Sequence, residues 1–339
     1  MSAHIGDKAS RNKKYIVLCA EQSIKIAQQF CTTDPDRFEF VPIEYKKFPD
    51  GTDKIVIKGF TPENKIADSH VLFFASFHNN GVTLSQLSVL IVLLQSFIQS
   101  LTIVLPFFPV GTMERVDEEG VVATASTYSV LLSNLPSIGQ KTRLMMYDIH
   151  ALPIRHYFVG SILPDLCSAI PLMILEMRKS GISAVAFPDD GANKRFKVMF
   201  GSGEYPIIVC GKIRDGETRR VTVQDGDPIG KHVLVVDDLV QTGGTLNECA
   251  LALLTGGALS VSVYATHAVF PEDSWKRFSK TIPEVELNGK TRYDSINRVF
   301  VTNSNPVVTD QLNRPGDVFT VLDLTLLMKS DLDRTPFTP

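Results

Sequence analysis

The chain has 339 residues, 44% of them hydrophobic, and a formal net charge of −3 at pH 7. That length can bury two ordinary domain cores, and the mildly acidic balance gives no support for a nucleic-acid-binding surface. The five cysteines are scattered, with no Cys-x-x-Cys pair, which is typical of free thiols in a reducing compartment. Because the polar N-terminus contains no visible signal peptide, we expect a cytoplasmic protein.

Short apolar runs alternate with segments of helical periodicity in the first half of the chain. The predicted elements, in order, are strand 15–19, helix 21–31, strands 38–45, 54–58 and 71–76, helix 83–99, strand 101–105, helix 123–135 and strand 144–147. No charged residue lies between Gly81 and Met113, yet glutamines and serines recur there. Such side chains are rare in membrane spans, so we predict a buried helix and strand and no contact with a membrane.

The second half repeats this alternation. Its predicted elements, in order, are helix 172–179, strand 184–187, helix 193–200, strand 207–210, a surface hairpin arm at 219–223, strand 233–236, helix 246–254, and strands 260–266, 299–302 and 318–322. Alternating strands and helices imply parallel sheets with crossover helices. We therefore predict an α/β protein with two similar domains, whose boundary lies near residues 160–163.

The stretch 233–246 is the most informative part of the chain. An uninterrupted, mostly β-branched run at 233–236 predicts a strand buried on both faces. Thr242, Gly243, Gly244 and Thr245 follow, before a helix that begins near residue 246. Glycines let successive N–H groups point at one anion, while threonine hydroxyls and the helix N-terminus add to the attraction. The pattern predicts a phosphate-binding loop.

Asp237 and Asp238 lie between the strand and this loop. Carboxylates beside a phosphate would repel it unless they accept hydrogen bonds from sugar hydroxyls or hold a hydrated cation. A sugar phosphate would satisfy the whole set of groups. The alternative is a helix-capping loop without a ligand, which is disfavoured because two aspartates after a buried strand are costly without a partner.

Other reactive side chains also follow predicted strands, where open α/β sheets place their ligands. They are Asp148 and His150, Asp189, and Lys212 with Arg214. His150 suits a divalent cation or a phosphate, although a structural or solvent-exposed histidine is the alternative.

Two further positions have competing interpretations. Asp190 has the alternative role of capping a helix that begins at Gly191. Gly211 and Gly216 bracket Lys212 and Arg214, so this segment is either a flexible cationic loop that closes on phosphates or a solvated surface loop.

No Walker A pattern occurs in the sequence, so a bound nucleotide would be held in another way. Six segments occur in a fixed order: Phe48-Pro49-Asp50-Gly51, Pro106-Phe107-Phe108 through Arg115, Asp148-Ile149-His150-Ala151, Pro188-Asp189-Asp190-Gly191 through Arg195, Gly211-Lys212-Ile213-Arg214, and Asp237 to Thr245. Together they resemble the FxDGE, PYFxYxRQDR, DLHA, SPDxGGxxR, DKRR and DDxxDTxGT segments of ribose-phosphate diphosphokinases, the phosphoribosyl diphosphate (PRPP) synthetase family. The resemblance extends from about residue 14 to residue 325.

The resemblance implies two phosphoribosyltransferase-type domains, each a mostly parallel sheet flanked by helices. It places an ATP-side domain at residues 10–162 and a ribose 5-phosphate-side domain at 163–325, with a final helix near 322–331 packing back on the first. It also implies transfer of a diphosphoryl group from ATP to the 1-hydroxyl of ribose 5-phosphate, giving PRPP and AMP. A homo-oligomer that uses Mg²⁺ is expected.

Roles for individual residues follow from the resemblance. Lys212 and Arg214 would be catalytic, and His150 and Asp189 would coordinate Mg²⁺. The residues expected to bind ribose 5-phosphate are Asp237, Asp238, Gln241, Thr242, Gly243, Gly244 and Thr245. The residues expected to bind ATP are Phe48, Asp50, Arg115 and His150, and a neighbouring subunit is one source for the first two.

Three departures from the family pattern are visible. Thr112-Met113 replaces an Arg-Gln pair, Thr52 replaces the glutamate of FxDGE, and Gln241 replaces the third aspartate of the sugar loop. The first two resemble the class II, plant-type branch, which accepts more diphosphoryl donors and does not depend on inorganic phosphate. We expect both properties here.

Two other functions remain as alternatives. One is a non-catalytic regulatory partner with the same fold, which would be expected to have a disrupted catalytic or sugar loop. The other is a phosphoribosyltransferase that consumes PRPP, which the doubled architecture disfavours.

Overall fold

The computed structural model describes residues 14–201, 203–215, 218–287, 289–312 and 314–334. The chain divides into two compact units. Among the described residues, unit 1 contains 14–167 together with 325–334, and unit 2 lies within Ser168–Leu324. The division follows Cys167 because residues 162–167 form a strand of the first sheet.

Unit 1 is built on a parallel sheet and a separate hairpin. Its strands are β1 Tyr15–Cys19, β2 Phe38–Phe40, β3 Ile43–Lys47, β4 Asp53–Ile57, β5 His70–Phe74, β6 Ser100–Val104, β7 Thr142–Tyr147 and β8 Ile162–Cys167. Its first three α-helices are α1 Ile24–Thr32, α2 Asn80–Leu94 and α3 Thr124–Ser133, and Glu21–Ser23 and Leu152–Tyr157 are 3-10 turns. The parallel sheet has the order β2-β1-β5-β6-β7-β8, and β3 pairs with β4 antiparallel.

Two predictions for unit 1 need correction. The predicted strand 38–45 is two strands, because Pro42 between them has no N–H for a ladder; β2 pairs with β1, and β3 turns away to pair with β4. The predicted helix 83–99 is α2, which starts earlier because the Asn79 side chain accepts from Val82 N at 2.9 Å and caps it. Across the part of the chain that is described, no helix is long and apolar enough to cross a membrane.

Unit 2 is built on a seven-stranded sheet. Its strands are β9 Ala184–Phe187, β10 Ile207–Asp215, β11 Thr218–Asp225, β12 His232–Val240, β13 Ser260–Ala268, β14 Val299–Thr302 and β15 Phe319–Leu322. Its α-helices are α4 Ile170–Ser180, α5 Asp190–Phe196, α6 Gly244–Thr255 and α7 Pro306–Thr309, and its 3-10 segments are Lys197–Phe200, Pro271–Arg277 and Glu284–Leu287. The order is β11-β10-β9-β12-β13-β14-β15, parallel except for β11.

Alternate side chains of β12 enter opposite cores, as the apolar run predicts. Val233 and Val235 pack in one cluster, and Leu234 and Val236 pack in another on the other face. Helices therefore cover both faces of the sheet, and the predicted α/β fold class is confirmed.

The six parallel strands of the two sheets follow the same order. In unit 1, β1 lies between β2 and β5, and β6, β7 and β8 continue from β5 in chain order. In unit 2, β9 lies between β10 and β12, and β13, β14 and β15 continue from β12 in the same way. Each unit also contains a hairpin, which is β3–β4 in unit 1 and β10–β11 in unit 2. The prediction that β10 ends at Cys210 is wrong, because the β11 pairing extends it to Asp215; Gly216 lies outside the described residues.

The last helix, α8 Thr325–Arg334, belongs to unit 1 although it follows unit 2 in the chain. The buried Arg143 guanidinium donates to the carbonyls of Asp331 and Leu332 at 2.8 and 3.1 Å, and also to Asp165 at 2.9 Å. The Tyr147 hydroxyl donates to the Asp331 carboxylate at 2.8 Å. A polar network buried between β7 and the end of α8 thus fixes this helix on the first sheet.

We expect Arg143→Ala to destabilise unit 1 by about 3 kcal/mol, because it leaves the partly buried Asp165 carboxylate and two helix-terminal carbonyls without their donor. Urea unfolding would measure the change. Lys65→Ala, which removes an exposed pair with Glu39, is the control and should change the free energy of unfolding by less than about 0.5 kcal/mol. Equal effects from both substitutions would contradict this account.

Candidate active site

The two predicted aspartates lie at the carboxyl edge of the unit 2 sheet, inside the end of β12. Asp238 is only 5% exposed, and its carboxylate lies 3.4 Å from the Arg195 guanidinium, which α5 contributes. Asp237 is partly buried beside it and accepts a hydrogen bond from the backbone N–H of Asp238 at 2.9 Å. A partly buried cation therefore balances one carboxylate of this pair.

The second carboxylate has no comparable compensation. Burial raises the pKa of Asp237 well above its usual range, and the neighbouring Asp238 and Asp189 carboxylates act in the same direction. Asp237 can therefore hold a proton under conditions in which an exposed aspartate has lost it.

The loop after β12 has its carbonyl groups turned into the protein. Val240 O accepts from the backbone N–H groups of Val269 and Phe270 at 3.0 and 3.3 Å. The next three carbonyls, of Gln241, Thr242 and Gly243, accept from Ser274 Oγ at 3.1 Å, Tyr293 OH at 3.3 Å and Asn247 N at 2.9 Å. Four successive carbonyls are thus fixed by protein donors.

Fixing the carbonyls also aims the N–H groups. A trans peptide is planar, so its C=O and N–H point in opposite directions. Within the described part of the chain, no protein acceptor pairs with the backbone N–H groups of Gln241, Thr242 and Gly243. The α6 N-terminus at Gly244 adds further N–H groups that have no intrahelical partner. The loop therefore presents donors to an anion.

Gly243 is the residue that makes this loop possible. Its φ is +78°, which side chains rarely adopt, and a Cβ added there would overlap the ring of Phe278. Gln241 and Thr242 are exposed beside it. The structure thus brings together the aspartate pair and the loop that the sequence predicted as a sugar-phosphate site.

Asp189 follows β9 and lies near the same edge of the sheet. It is the N-cap of α5, since its carboxylate accepts from Ala192 N at 2.9 Å. The alternative in which Asp190 caps this helix is wrong: Asp190 is the first helical residue and pairs with Lys194 at 2.8 Å on the surface. Asp189 is exposed, so its carboxylate remains accessible to a ligand.

Lys212 lies in the β10–β11 hairpin, opposite Val221 in the ladder, with its side chain exposed. It is therefore held in a regular strand and not in a free loop. The backbone of Arg214 pairs with Arg219 in the same ladder, and the Arg214 side chain lies outside the described residues.

The predicted ATP-binding residues belong to unit 1. Phe48 is 47% exposed at the turn of the β3–β4 hairpin, where the Lys54 ammonium lies 5.5 Å from its ring centroid. The Thr52 hydroxyl donates to Asp50 at 2.6 Å and holds the pKa of that carboxyl below its usual range. Phe48 and Asp50 therefore form one preorganised, exposed tip.

The other two predicted ATP-binding residues follow β6 and β7. Arg115 is exposed and pairs with Glu114 at 3.0 Å. His150 is exposed, and Gly111 of the loop after β6 packs against it. Asp148, two residues earlier, is 3% exposed and has a φ of +36°, a strained value for this residue.

Several contacts of the site have weak signals or none in the sequence. Arg195 belongs to the SPDxGGxxR-like segment, but its pairing with Asp238 was not predicted. Ser274, Phe278 and Tyr293 follow β13 and reach the loop from a distant part of the chain, so no local pattern indicates them.

Within the residues that the structure describes, no group of three or more His, Cys, Asp or Glu side chains is placed to hold a metal ion. This donor set does not exclude Mg²⁺, which commonly keeps water and substrate phosphates among its ligands and takes only one or two carboxylates from the protein.

A parallel sheet with an aspartate pair and an N–H-lined loop at the end of its central strand defines a phosphoribosyltransferase-type domain. A family model described as "Phosphoribosyl transferase domain" matches residues 211–294. The chain belongs to the ribose-phosphate pyrophosphokinase family, and it is an enzyme of that family, as the sequence predicted.

Two rice relatives carry this result. The chain is 40% identical over 321 residues to ribose-phosphate pyrophosphokinase 4 of Oryza sativa subsp. japonica, covering 94% of each chain. It is 40% identical over 317 residues to the chloroplastic ribose-phosphate pyrophosphokinase 3 of the same organism, covering 92% of this chain and 74% of the relative.

A solved structure shares the fold. The phosphoribosylpyrophosphate synthetase from Mycobacterium smegmatis matches with a TM-score of 0.72 and 21% identity, over 94% of this chain and 98% of that chain.

The raised pKa of Asp237 predicts a specific pH dependence of stability. The folded state keeps this proton to higher pH than the unfolded state does. The contribution of Asp237 to the free energy of unfolding is therefore complete below pH 3.8 and is lost as the pH rises through the pKa of the folded state. Asp237→Asn has no titrating group at this position and so avoids the loss. Its free energy of unfolding should therefore rise relative to that of the wild type by up to about 1.4 kcal/mol per pH unit in that range.

Urea unfolding at a series of acidic to neutral pH values would measure this difference. Asp190→Asn is the matched control, because Asp190 is exposed and its pKa is lowered by Lys194. Parallel pH profiles for wild type and Asp237→Asn would refute the assignment.

Proposed function

We propose that this enzyme transfers the diphosphoryl group of ATP to the 1-hydroxyl of ribose 5-phosphate, giving PRPP and AMP. The sugar oxygen attacks the β-phosphorus, the bond from that phosphorus to the α-phosphate oxygen breaks, and the hydroxyl proton is released. The observation that carries the proposal is the loop after β12, whose carbonyls are fixed and whose N–H groups face outward beside an aspartate pair.

The loop would hold the 5-phosphate, and the aspartates would hold the sugar. The N–H groups of residues 241–245 and the hydroxyls of Thr242 and Thr245 are donors suited to phosphate oxygens. Asp237 and Asp238 are acceptors for the two ring hydroxyls. Gln241, which is exposed at the start of the loop, is within the same donor set.

Lys212 and Arg214 would stabilise charge on the transferring group. Both belong to the β10–β11 hairpin, next to β9 in the sheet, and Lys212 is exposed. The ladder fixes the backbone from which these cationic side chains extend, and positive charge is what the transferring phosphates require.

Phe48, Asp50, Arg115 and His150 would bind ATP. The exposed Phe48 ring suits stacking on adenine, and the Asp50 carboxylate suits its amino group. Because Phe48 and Asp50 project on a hairpin tip, we propose a homo-oligomer in which they serve a neighbouring subunit. Analytical ultracentrifugation would test the assembly. The expected cytoplasmic location stays a prediction.

Mg²⁺ fits this donor set as a metal bound mainly by phosphates. When bound, it would neutralise charge on the ATP phosphates. Asp189 supplies an exposed carboxylate oxygen, which suits this hard cation. A histidine nitrogen is a poorer ligand for Mg²⁺, so of its two proposed roles His150 fits phosphate contact better than metal coordination.

We also propose the class II properties of broad donor use and independence from inorganic phosphate. Thr52 replaces a charged residue, and its hydroxyl and N–H are both occupied by Asp50. Met113 is 44% exposed and cannot hydrogen-bond to a base as the Gln it replaces could. The proposed binding site for the diphosphoryl donor therefore has few groups that would select adenine over another base.

We expect AMP release from ATP to require ribose 5-phosphate and to proceed in magnesium buffer without phosphate. Lys212→Ala should lower kcat by about 100- to 1000-fold, because one transition-state cation is lost. Arg220→Ala on the same hairpin is the control and should retain activity.

The outcomes separate the alternatives. AMP release only after phosphate is added would contradict the class II property and leave the enzyme assignment intact. No sugar-dependent release under any condition would favour the regulatory partner, which co-purification with an active homologue would then test.

A comparison of nucleotides tests donor breadth. We expect GTP and CTP to support PRPP formation within about 10-fold of ATP, since the loss of one hydrogen bond to the base is worth at most about that factor. Chromatographic detection of the matching monophosphates would measure it. Strict use of ATP would refute this property.

A further inference from the structure

The connection between β13 and β14 carries more buried aromatic side chains than a surface connection needs. Phe270, Trp275, Phe278 and Tyr293 are 3%, 2%, 1% and 4% exposed. Its first residues are also strained, since Phe270 and Glu272 have φ values of +41° and +52°. Strain of this kind persists only where the surrounding structure enforces it.

This connection supplies most of the donors that hold the phosphate-binding loop. Val269 and Phe270 donate from the backbone to Val240 O, Ser274 donates to Gln241 O, and Tyr293 donates to Thr242 O. A second segment of the chain, not the loop's own sequence, therefore sets the direction of the loop peptides.

Tyr293 is the most firmly placed of these donors. Its ring centroid lies 4.9 Å from that of Phe278 at an interplanar angle of 74°, and the Arg277 guanidinium lies 4.0 Å above the ring. Its backbone N–H donates to Arg277 O at 2.7 Å. Burial raises the pKa of Tyr293, so the hydroxyl stays protonated and able to donate.

Each donated hydrogen bond has a defined effect on one anion-facing N–H. The Gln241 carbonyl shares its peptide with Thr242 N–H, and the Thr242 carbonyl shares its peptide with Gly243 N–H. Without the Ser274 or Tyr293 hydroxyl, the corresponding peptide is free to rotate. Gly243 has no side chain to resist that rotation.

We propose that Tyr293 and Ser274 are positioning residues that set the affinity of the loop for the phosphate of ribose 5-phosphate. Tyr293 orients Gly243 N–H, Ser274 orients Thr242 N–H, and Phe278 closes the side of the loop where a Cβ at Gly243 would lie. This inference rests on the proposed function, since it concerns the same ligand.

The test is Tyr293→Phe, which keeps the ring and removes only the hydroxyl. The KM for ribose 5-phosphate and its calorimetric Kd should each rise about 3- to 10-fold, the value of one hydrogen bond, with kcat within about twofold of wild type. Ser274→Ala should act in the same way. Ser274→Thr, which keeps a hydroxyl, should retain tighter binding than Ser274→Ala.

Tyr264→Phe is the matched control. Tyr264 is a fully buried tyrosine of the same unit, and its hydroxyl lies 3.0 Å from the Thr266 hydroxyl. It should lower the thermal midpoint and leave the KM unchanged. A purely structural role for Tyr293 would give that same result.

If wild type uses ribose 5-phosphate but Tyr293→Phe and Ser274→Ala both retain its KM and Kd, the inference is overturned and the proposed function stands. If wild type neither binds ribose 5-phosphate nor releases AMP, the proposed function fails, and this inference fails with it.

Discussion

The candidate site depends on the planarity of the peptide group. A protein cannot orient an anion-binding backbone N–H with an acceptor of its own, because that N–H must remain available to the ligand. It can hold the carbonyl on the opposite side of the same peptide. Here four successive carbonyls are held in this way, and the donors come from two backbone N–H groups of the β13–β14 connection, from α6, and from two side-chain hydroxyls.

The aspartate pair shows that such a site lowers the stability of the fold through electrostatic repulsion. Asp238 is buried with a guanidinium beside it, but Asp237 is partly buried next to two other carboxylates. A sheet built only for stability would place apolar or neutral side chains there. The buried run of β12 and the packing on both sheet faces support the strand well enough to tolerate this repulsion at its end. The arrangement fits the proposed role of the pair, in which the two carboxylates accept hydrogen bonds from sugar hydroxyls.

The sequence predicted those parts of the structure that depend on local patterns. The alternation of strands and helices, the β12 strand, the aspartate pair and the glycine loop all have short-range causes: apolar periodicity, the steric freedom of glycine and the preference of ligands for strand ends. The alternative in which Asp190 caps the helix was one residue too late, because adjacent aspartates satisfy the same rule and only the backbone angle distinguishes them.

Contacts between distant segments were beyond such reasoning. Tyr293 lies far along the chain from Thr242, and nothing in its neighbours distinguishes it from a core tyrosine. The extension of β10 past Cys210 also depends on a contact with another segment. Residues 211–215 are mostly polar and begin with a glycine, and they form a strand because β11 pairs with them. Arg195 was visible in a motif, yet its partner could be identified only in three dimensions.

The return of α8 to unit 1 has a consequence for how the protein is made. A ribosome finishes residues 14–167 long before it reaches Asp331 and Leu332, whose carbonyls complete the shell of Arg143. While the strands of unit 2 are being synthesised, α8 does not yet exist, and the part of β7 that it covers has no partner from that helix. Domains generally fold as units in the order of their synthesis, but here the residues of the second unit are all synthesised before the last residues of the first. The N-terminal unit therefore acquires its last helix late in the synthesis of the chain.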